Sequence, residues 1–157
     1  MSFIQLTTFI EAPIERVFDL SRSVDLHEHS MQSFNEKSTA GKQAGLMELN
    51  ETVTWKAKHL FKERSLTTKI TAMQKPFSFI DEQVSGDFVS LKHEHYFKSV
   101  QNGTIMIDQF YFQTPYGTIG NWVSRLYLTG YLKKLLEQRN RFIKEAAETN
   151  KWKSFLS

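Results

Sequence analysis

The first 22 residues combine an extended pattern with a helical one. Ser2 to Ile10 is rich in β-branched and aromatic residues and ends just before Ala12-Pro13, where proline suits the first turn of a helix. From Pro13 to Arg22 the apolar residues recur at helical spacing, with acidic Glu15 near the start. These patterns predict a strand followed by a short amphipathic helix.

The pattern weakens from Ser23 to Gly45. This segment could contain a helical turn at Val24–His29 and a strand near Ser33–Thr39, or it could form a mobile flap. The segment His27-Glu28-His29 is interpreted as exposed and is given no role.

Five extended runs follow Gly45, separated by short turn signals. The runs are Met47–Leu60, Glu63–Met73, Ser78–Ser85, Val89–Val100 and Gly103–Gln113. Because parallel pairing would require long crossovers, short connections predict an antiparallel meander. The strongest signal, Asn102-Gly103, is typical of a two-residue type I′ turn and makes Val89–Gln113 a hairpin.

The hairpin predicts a register and two faces. Counting outward from Asn102-Gly103 pairs Phe97 with Asp108, His95 with Phe110 and His93 with Phe112. Alternation places His93, His95 and Phe97 on the inner face. The outer face then carries Lys92, Glu94, Tyr96 and Lys98.

The C-terminal segment, Thr118–Thr149, has two apolar stripes at helical spacing instead of one. The first stripe comprises Ile119, Trp122, Val123 and Leu126, and the second comprises Tyr131, Leu132, Leu135, Phe142, Ile143 and Ala146. Because the two stripes lie on roughly opposite sides, we expect a kink or break near Leu128–Gly130, with the second half as the principal helix.

Composition narrows the class of protein. With 157 residues, 40% of them hydrophobic, the chain is expected to form one domain, and its 13 Phe, 5 Tyr and 3 Trp suit strands and apolar pockets. It has no cysteine, which excludes disulfides and thiolate sites.

The net charge is +3, and the basic residues are scattered along the chain, which favours no nucleic-acid partner. Without an apparent signal peptide or membrane span, a cytoplasmic location is expected, as monomer or homodimer.

Four motifs, in order, carry a family resemblance. They are Phe9-Ile10-Glu11-Ala12-Pro13 with Glu15-Arg16-Val17-Phe18, then Phe79-Ile80-Asp81-Glu82-Gln83-Val84-Ser85-Gly86, then His93-Glu94-His95-Tyr96-Phe97, and last Asp108 with Thr114-Pro115-Tyr116-Gly117. Together with the order of elements, they resemble the polyketide cyclase/dehydrase-like branch of the START and birch-pollen-allergen superfamily, the SRPBCC proteins.

The resemblance implies an α+β helix-grip fold, in which a curved antiparallel sheet wraps a long C-terminal helix, with two short helices after the first strand. It also implies an internal cavity that binds lipids, polyketides or other apolar molecules, and in some members catalyses aldol-type cyclisation or dehydration. It implies no single activity.

The inner face of the hairpin carries the candidate chemistry. In the predicted register Asp108 lies diagonally across from His95, so His93, His95 and Asp108 are candidates for acid-base catalysis. Alternatively these groups only satisfy one another's hydrogen bonds. The His93-x-His95 spacing also suits a metal, with His59 or Asp108 as third ligand, but no third ligand is fixed, and we expect no metal and no cofactor.

Arg139 lies within the second apolar stripe of the last helix, where a charge requires a partner. One reading is a salt bridge to an inward carboxylate such as Glu82 or Asp108, and the other is an anchor for an anionic ligand group.

These observations predict a ligand cavity and leave its activity open. Its predicted walls are Trp55, His59, His93, His95, Asp108, Phe110, Phe112, Trp122, Arg139 and Phe142. The leading hypothesis is binding or transport of an apolar small molecule, and the alternative is a cyclase or dehydratase. A third hypothesis, a metal-dependent jelly roll, fits poorly with the long final helix.

Overall fold

The computed structural model describes residues 1–115 and 122–156. Seven strands form one antiparallel sheet in the order β1-β7-β6-β5-β4-β3-β2. The strands are β1 Ser2–Ile10, β2 Lys37–Gly41, β3 Thr52–His59, β4 Lys62–Gln74, β5 Ser78–Ser85, β6 Ser90–Val100 and β7 Gly103–Gln113. The predicted meander is confirmed, and β1 pairs with β7 rather than with its neighbour in the sequence.

The helices follow the predicted order. They are α1 Ile14–Ser21, α2 Val24–Ser30, α3 Trp122–Glu148 and α4 Lys153–Leu156, with short 3-10 turns at Gln32–Phe34 and Asn150–Trp152. Pro13 precedes α1, and the side chain of Ser23 caps α2 by accepting a hydrogen bond from the Leu26 amide at 3.1 Å.

The predicted start of β3 at Met47 is wrong. The Met47 amide donates to the carbonyl oxygen of Arg22 at 2.9 Å, so this residue is tied to the end of α1. Asn50 then adopts a left-handed conformation with φ of 70°. The strand begins only at Thr52.

The predicted register of the β6–β7 hairpin is shifted by two residues. Val100 pairs with Gly103, so the turn residues are Gln101 and Asn102, and His95 faces Asp108 directly. Only Asn102 has a positive φ, 68°, whereas a type I′ turn needs two such residues. Because a shift of two keeps every side chain on its predicted face, the inner surface is nevertheless as expected.

The predicted break in the last helix is absent. Helix α3 continues from Trp122 to Glu148 through Gly130, beside which a Cβ would meet no atom within 4 Å. Its C-terminal half buries Ile143 and Ala146, but Leu126 in the first half is 60% exposed. The first apolar stripe, to which Leu126 belongs, is therefore not packed against the core at this residue.

Aromatic side chains hold α1 against the sheet. The ring of Phe18, on α1, makes edge contacts with Phe79 at 5.6 Å and Phe97 at 5.4 Å. All three residues are buried in the larger core cluster, together with Ile143 of α3. The sheet, α1 and α3 thus share one hydrophobic core.

Candidate functional site

A cavity of about 660 Å³ lies between the inner face of the sheet and helices α2 and α3. Apolar side chains dominate its walls, among them Val53, Ala57, Ile70, Phe79, Leu91, Leu132 and Leu136. Exposed Lys62 and Asp87, with half-exposed Arg64, mark the mouth, where Arg64 and Asp87 form an ion pair at 2.7 Å.

One wall of the cavity carries charge instead of apolar groups. We call this wall, together with the buried Asp108 on β7 behind it, the polar end. The wall residues are Asp81 on β5, His93 and His95 on β6 and Arg139 on α3. The register brings the first four together, since Asp81 faces His93 on one side and His95 faces Asp108 on the other. Because their strands are adjacent and their side chains share one face, they form a single network.

Each histidine of the polar end bonds to a different carboxylate. The Nε2 atom of His93 lies 2.8 Å from Asp108 Oδ1, and Nε2 of His95 lies 2.7 Å from Asp81 Oδ2. The two imidazole rings lie 3.7 Å apart. His95 Nδ1 is buried and has no hydrogen-bond partner among the described residues, although Asp108 Oδ1 lies 3.4 Å away.

Asp108 is fully buried and is held by α3. Asn140 donates from Nδ2 to Asp108 Oδ2 at 2.7 Å, and Arg139 Nη1 lies 3.4 Å from Oδ1. Arg139 also donates to Asn140 Oδ1 and to the carbonyl oxygen of Ser21, both at 3.1 Å. The predicted salt bridge of Arg139 is therefore with Asp108 and not with Glu82.

Burial and neighbouring charges move the pKa values of this network. Burial, with the nearby His95, lowers the pKa of His93 to about 4, against the opposing effect of Asp108. Burial alone would raise the pKa of Asp108, but the hydrogen bond from His93 and the nearby ring of His95 hold it well below its usual value. Burial would likewise raise the pKa of Asp81, but its hydrogen bond with His95 outweighs that effect and lowers it. At neutral pH both carboxylates are ionised and His93 is neutral.

The polar end also contains a set of metal-ligating groups. Asp81, His93 and His95 each offer one ligand atom, and these atoms lie within 4.8 Å of one another. Two imidazoles and a carboxylate suit a divalent transition metal. Among the described residues, Asp81 takes the place of third ligand for which the sequence suggested His59 or Asp108.

Two further histidines line the cavity away from the polar end. The ring of His27 lies tilted against that of Trp55, with centroids 4.3 Å apart, and its Nε2 lies 2.9 Å from Glu36 Oε1. His59 Nδ1 lies 2.8 Å from the hydroxyl of Tyr131, and burial lowers the pKa of His59. His27 is expected from the sequence to be exposed, but its side chain is half-buried and forms part of the cavity wall.

Solved structures share this architecture. TTHA0849 from Thermus thermophilus superposes with a TM-score of 0.71 at 14% identity, covering 93% of this chain and 99% of that one. Ginseng major latex-like protein 151 from Panax ginseng gives 0.69 at 13%, covering 94% and 98%. StfQ, a di-domain ARO/CYC from the steffimycin biosynthetic pathway, gives 0.74 at 10%, covering 93% and 50%.

The chain has the helix-grip fold that these solved structures share. No family model and no curated protein matches its sequence. No helix among the described residues is long and apolar enough to cross a membrane.

The helix-grip cavity contains most of the side chains that the sequence proposed for it. Those lining it are Trp55, His59, His93, His95, Phe110 and Arg139. Asp108 lies behind the wall, because its side chain is fully buried beneath the histidines. The side chain of Trp122 lies outside the described residues.

Two proposed wall residues, Phe112 and Phe142, belong to the packing around the helix-grip cavity instead. Phe112 is fully buried against Phe88, with ring centroids 5.7 Å apart. Phe142 of α3 packs against Phe155 of α4, with ring centroids 6.2 Å apart.

Sequence reasoning missed Asp81. Alternation along β5 puts Asp81 on the same face as buried Phe79, and Glu82 on the other. That signal is present in the sequence and favours Asp81 over Glu82 as the inward carboxylate. Of these two β5 carboxylates, Asp81 lines the cavity.

Proposed function

We propose that this protein binds or carries an apolar small molecule, a lipid, a polyketide or a similar compound, inside the helix-grip cavity, without a need for catalysis. The observation that carries the proposal is the cavity itself. Its volume of about 660 Å³ and its mainly apolar walls are typical of sites that enclose a drug-sized ligand.

The comparisons support a small-molecule role without identifying the molecule. StfQ, which shares this fold, is named as a di-domain ARO/CYC from the steffimycin biosynthetic pathway. Because the identities are at most 14% in the structures compared above, the fold alone is carried over to this chain.

A titration with the neutral apolar dye N-phenyl-1-naphthylamine tests the proposal. Dye fluorescence should rise and saturate at one equivalent of wild-type protein. The Ala57→Phe variant adds a ring to a buried side chain of the wall, so dye affinity should fall by at least about tenfold, as expected for lost apolar burial. Ala40→Phe, at an exposed position of β2, is the matched control and should bind as wild type.

Circular dichroism shows whether both variants are folded, so that a loss of binding is not mistaken for unfolding. The proposal fails if wild-type protein does not bind the dye, or if folded Ala57→Phe binds it as tightly as Ala40→Phe does.

A second candidate function is a cyclase or dehydratase that uses the polar end as acid and base. The observation that favours it is that neutral His93 lines the cavity while Asp108 fixes its ring through Nε2. A carboxylate that orients an imidazole in this way assists proton transfer. Once a converted substrate is found, His93→Ala or His95→Ala should lower kcat by about 10²-fold or more. Full activity in both variants would exclude this mechanism.

A further inference from the structure

The polar end presents a carboxylate to the cavity. Asp81 lines the cavity with its side chain 19% exposed, whereas Asp108 is fully buried behind the histidines and the side chain of Arg139 is only 6% exposed. A ligand group that enters this end of the cavity therefore meets the carboxylate of Asp81 rather than the guanidinium of Arg139.

The unpaired polar atoms at the cavity surface are acceptors. The Asp108 carboxylate accepts, so His93 donates to it from Nε2, and Nδ1 of the same ring has no partner among the described residues. Asp81 uses Oδ2 for His95, and its Oδ1 has no partner among the described residues, while its side chain is 19% exposed. Among the described residues, the buried side-chain atoms without a partner are Gln83 Oε1 and His95 Nδ1. His93 Nδ1 and Asp81 Oδ1 also lack a partner but are not among these buried atoms, so both are open to the cavity.

Arg139 is poorly placed to offset this charge for a ligand. Both terminal nitrogens of its guanidinium already bond to protein, Nη1 to Asp108 and Asn140 and Nη2 to Ser21, and only 5% of the residue is exposed. An anionic group would have to compete with Asp108 for this cation and also approach Asp81. Anion anchoring by Arg139 is thus disfavoured by the contacts that bury it.

We infer that the natural ligand presents a hydrogen-bond donor to the polar end, a hydroxyl or a protonated amine, and that a carboxylate or phosphate is rejected there. The inference rests on the proposed binding function and specifies its ligand class. The donor bonds to Asp81 Oδ1, with His93 Nδ1 as a second acceptor. The rest of the ligand occupies the apolar part of the cavity.

Four probes with the same naphthalene body test this selectivity by displacement of N-phenyl-1-naphthylamine at pH 7.4. They are 2-naphthalenemethanol, 2-naphthylmethylamine, 2-naphthoate and 2-methylnaphthalene. Hydrogen bonds to a charged group predict that the alcohol and the ammonium ion bind at least about tenfold more tightly than the carboxylate. All titrations contain EDTA, because a metal ion on Asp81, His93 and His95 would occupy the carboxylate that the donor is expected to contact.

The Asp81→Asn variant assigns the selectivity to one carboxylate. In this variant 2-naphthylmethylamine should no longer bind more tightly than 2-methylnaphthalene, because the negative charge that attracts the ammonium group is gone. Glu82→Gln, the same change on the neighbouring residue and opposite face of β5, should keep wild-type selectivity. The wild-type series stands alone if Asp81→Asn does not fold.

The outcomes separate this inference from the proposed function. If the dye itself does not bind, the binding function fails. If the dye binds but 2-naphthoate displaces it as well as the alcohol or the amine does, the binding function stands and the ligand class is wrong. Equal selectivity in wild type and folded Asp81→Asn also contradicts the inference.

Discussion

His93 bonds to Asp108 at 2.8 Å, although the two residues do not face each other across the β6–β7 hairpin. The residue that does face Asp108 is His95, and its Nε2 bonds instead to Asp81 on the other neighbouring strand. The two imidazoles thus link three strands, and Asp108 extends the network to Arg139 on α3. The charged wall of the cavity is also a connection between sheet and helix.

Removing the charge of Asp108 should therefore be costly. Asp108→Asn leaves the buried guanidinium of Arg139 without a counter-ion, and the free energy of unfolding should fall by about 3–5 kcal/mol. Asp87→Asn breaks the exposed pair with Arg64 and should cost less than about 1 kcal/mol. Urea denaturation of both variants measures the difference. Equal losses would show that Asp108 has no special structural role.

Stability should decrease as the pH falls from about 6.5 to 4. In this range an unfolded chain protonates His93, whereas the native state, in which its pKa is about 4, does not. The unfolded state binds more protons, so the free energy of unfolding falls with pH, by about 3 kcal/mol in total. The stabilisation from Asp108, whose pKa is lowered, is retained above about pH 4 and lost in stronger acid.

Urea denaturation at several pH values, with NMR titration of the His93 ring, checks this dependence. His93→Gln should make the decrease between pH 6.5 and 4 shallower, and His29→Gln, at an exposed position, should leave it unchanged. A His93 ring that titrates near 6.5 in the native protein would contradict the prediction.

Two glycines should respond in opposite directions to alanine. A Cβ on Gly103 would lie 2.3 Å from the carbonyl oxygen of Ile10, so Gly103→Ala should destabilise by about 1–3 kcal/mol. A Cβ on Gly130 would meet nothing within 4 Å, and alanine favours the helix, so Gly130→Ala should stabilise by about 1 kcal/mol. Thermal unfolding of both variants measures these changes in stability. A stabilising effect of Gly103→Ala would contradict the close approach of Gly103 to the carbonyl oxygen of Ile10.

The surroundings of Gly103 also explain why the hairpin register differs from the predicted one. Asn102-Gly103 is typical of a turn that needs two left-handed residues, but Gly103 is required for close contact with β1, a strand about 100 residues away. Local turn chemistry contains no information about that contact. The faces of β6 are predictable all the same, because alternation does not depend on which residues form the turn.

The fold follows from alternation and order, whereas the details of the site depend on tertiary packing. Buried His93 and His95 can be placed on the inner face from the sequence. Whether Asp108 lines the cavity or lies behind the histidines is set by how α3 packs, through Asn140 and Arg139. Helix α3 is continuous from Trp122 to Glu148, although its two apolar stripes favour a break.

The most direct test of ligand binding inside the cavity is an NMR measurement of contacts between the protein and bound 2-naphthalenemethanol. We predict intermolecular nuclear Overhauser effects from the naphthalene protons to the methyl groups of Ala57 and Leu136, which line the cavity. Contacts confined to exposed groups such as Phe61 or Tyr127, or no binding at all, would contradict a ligand-binding cavity.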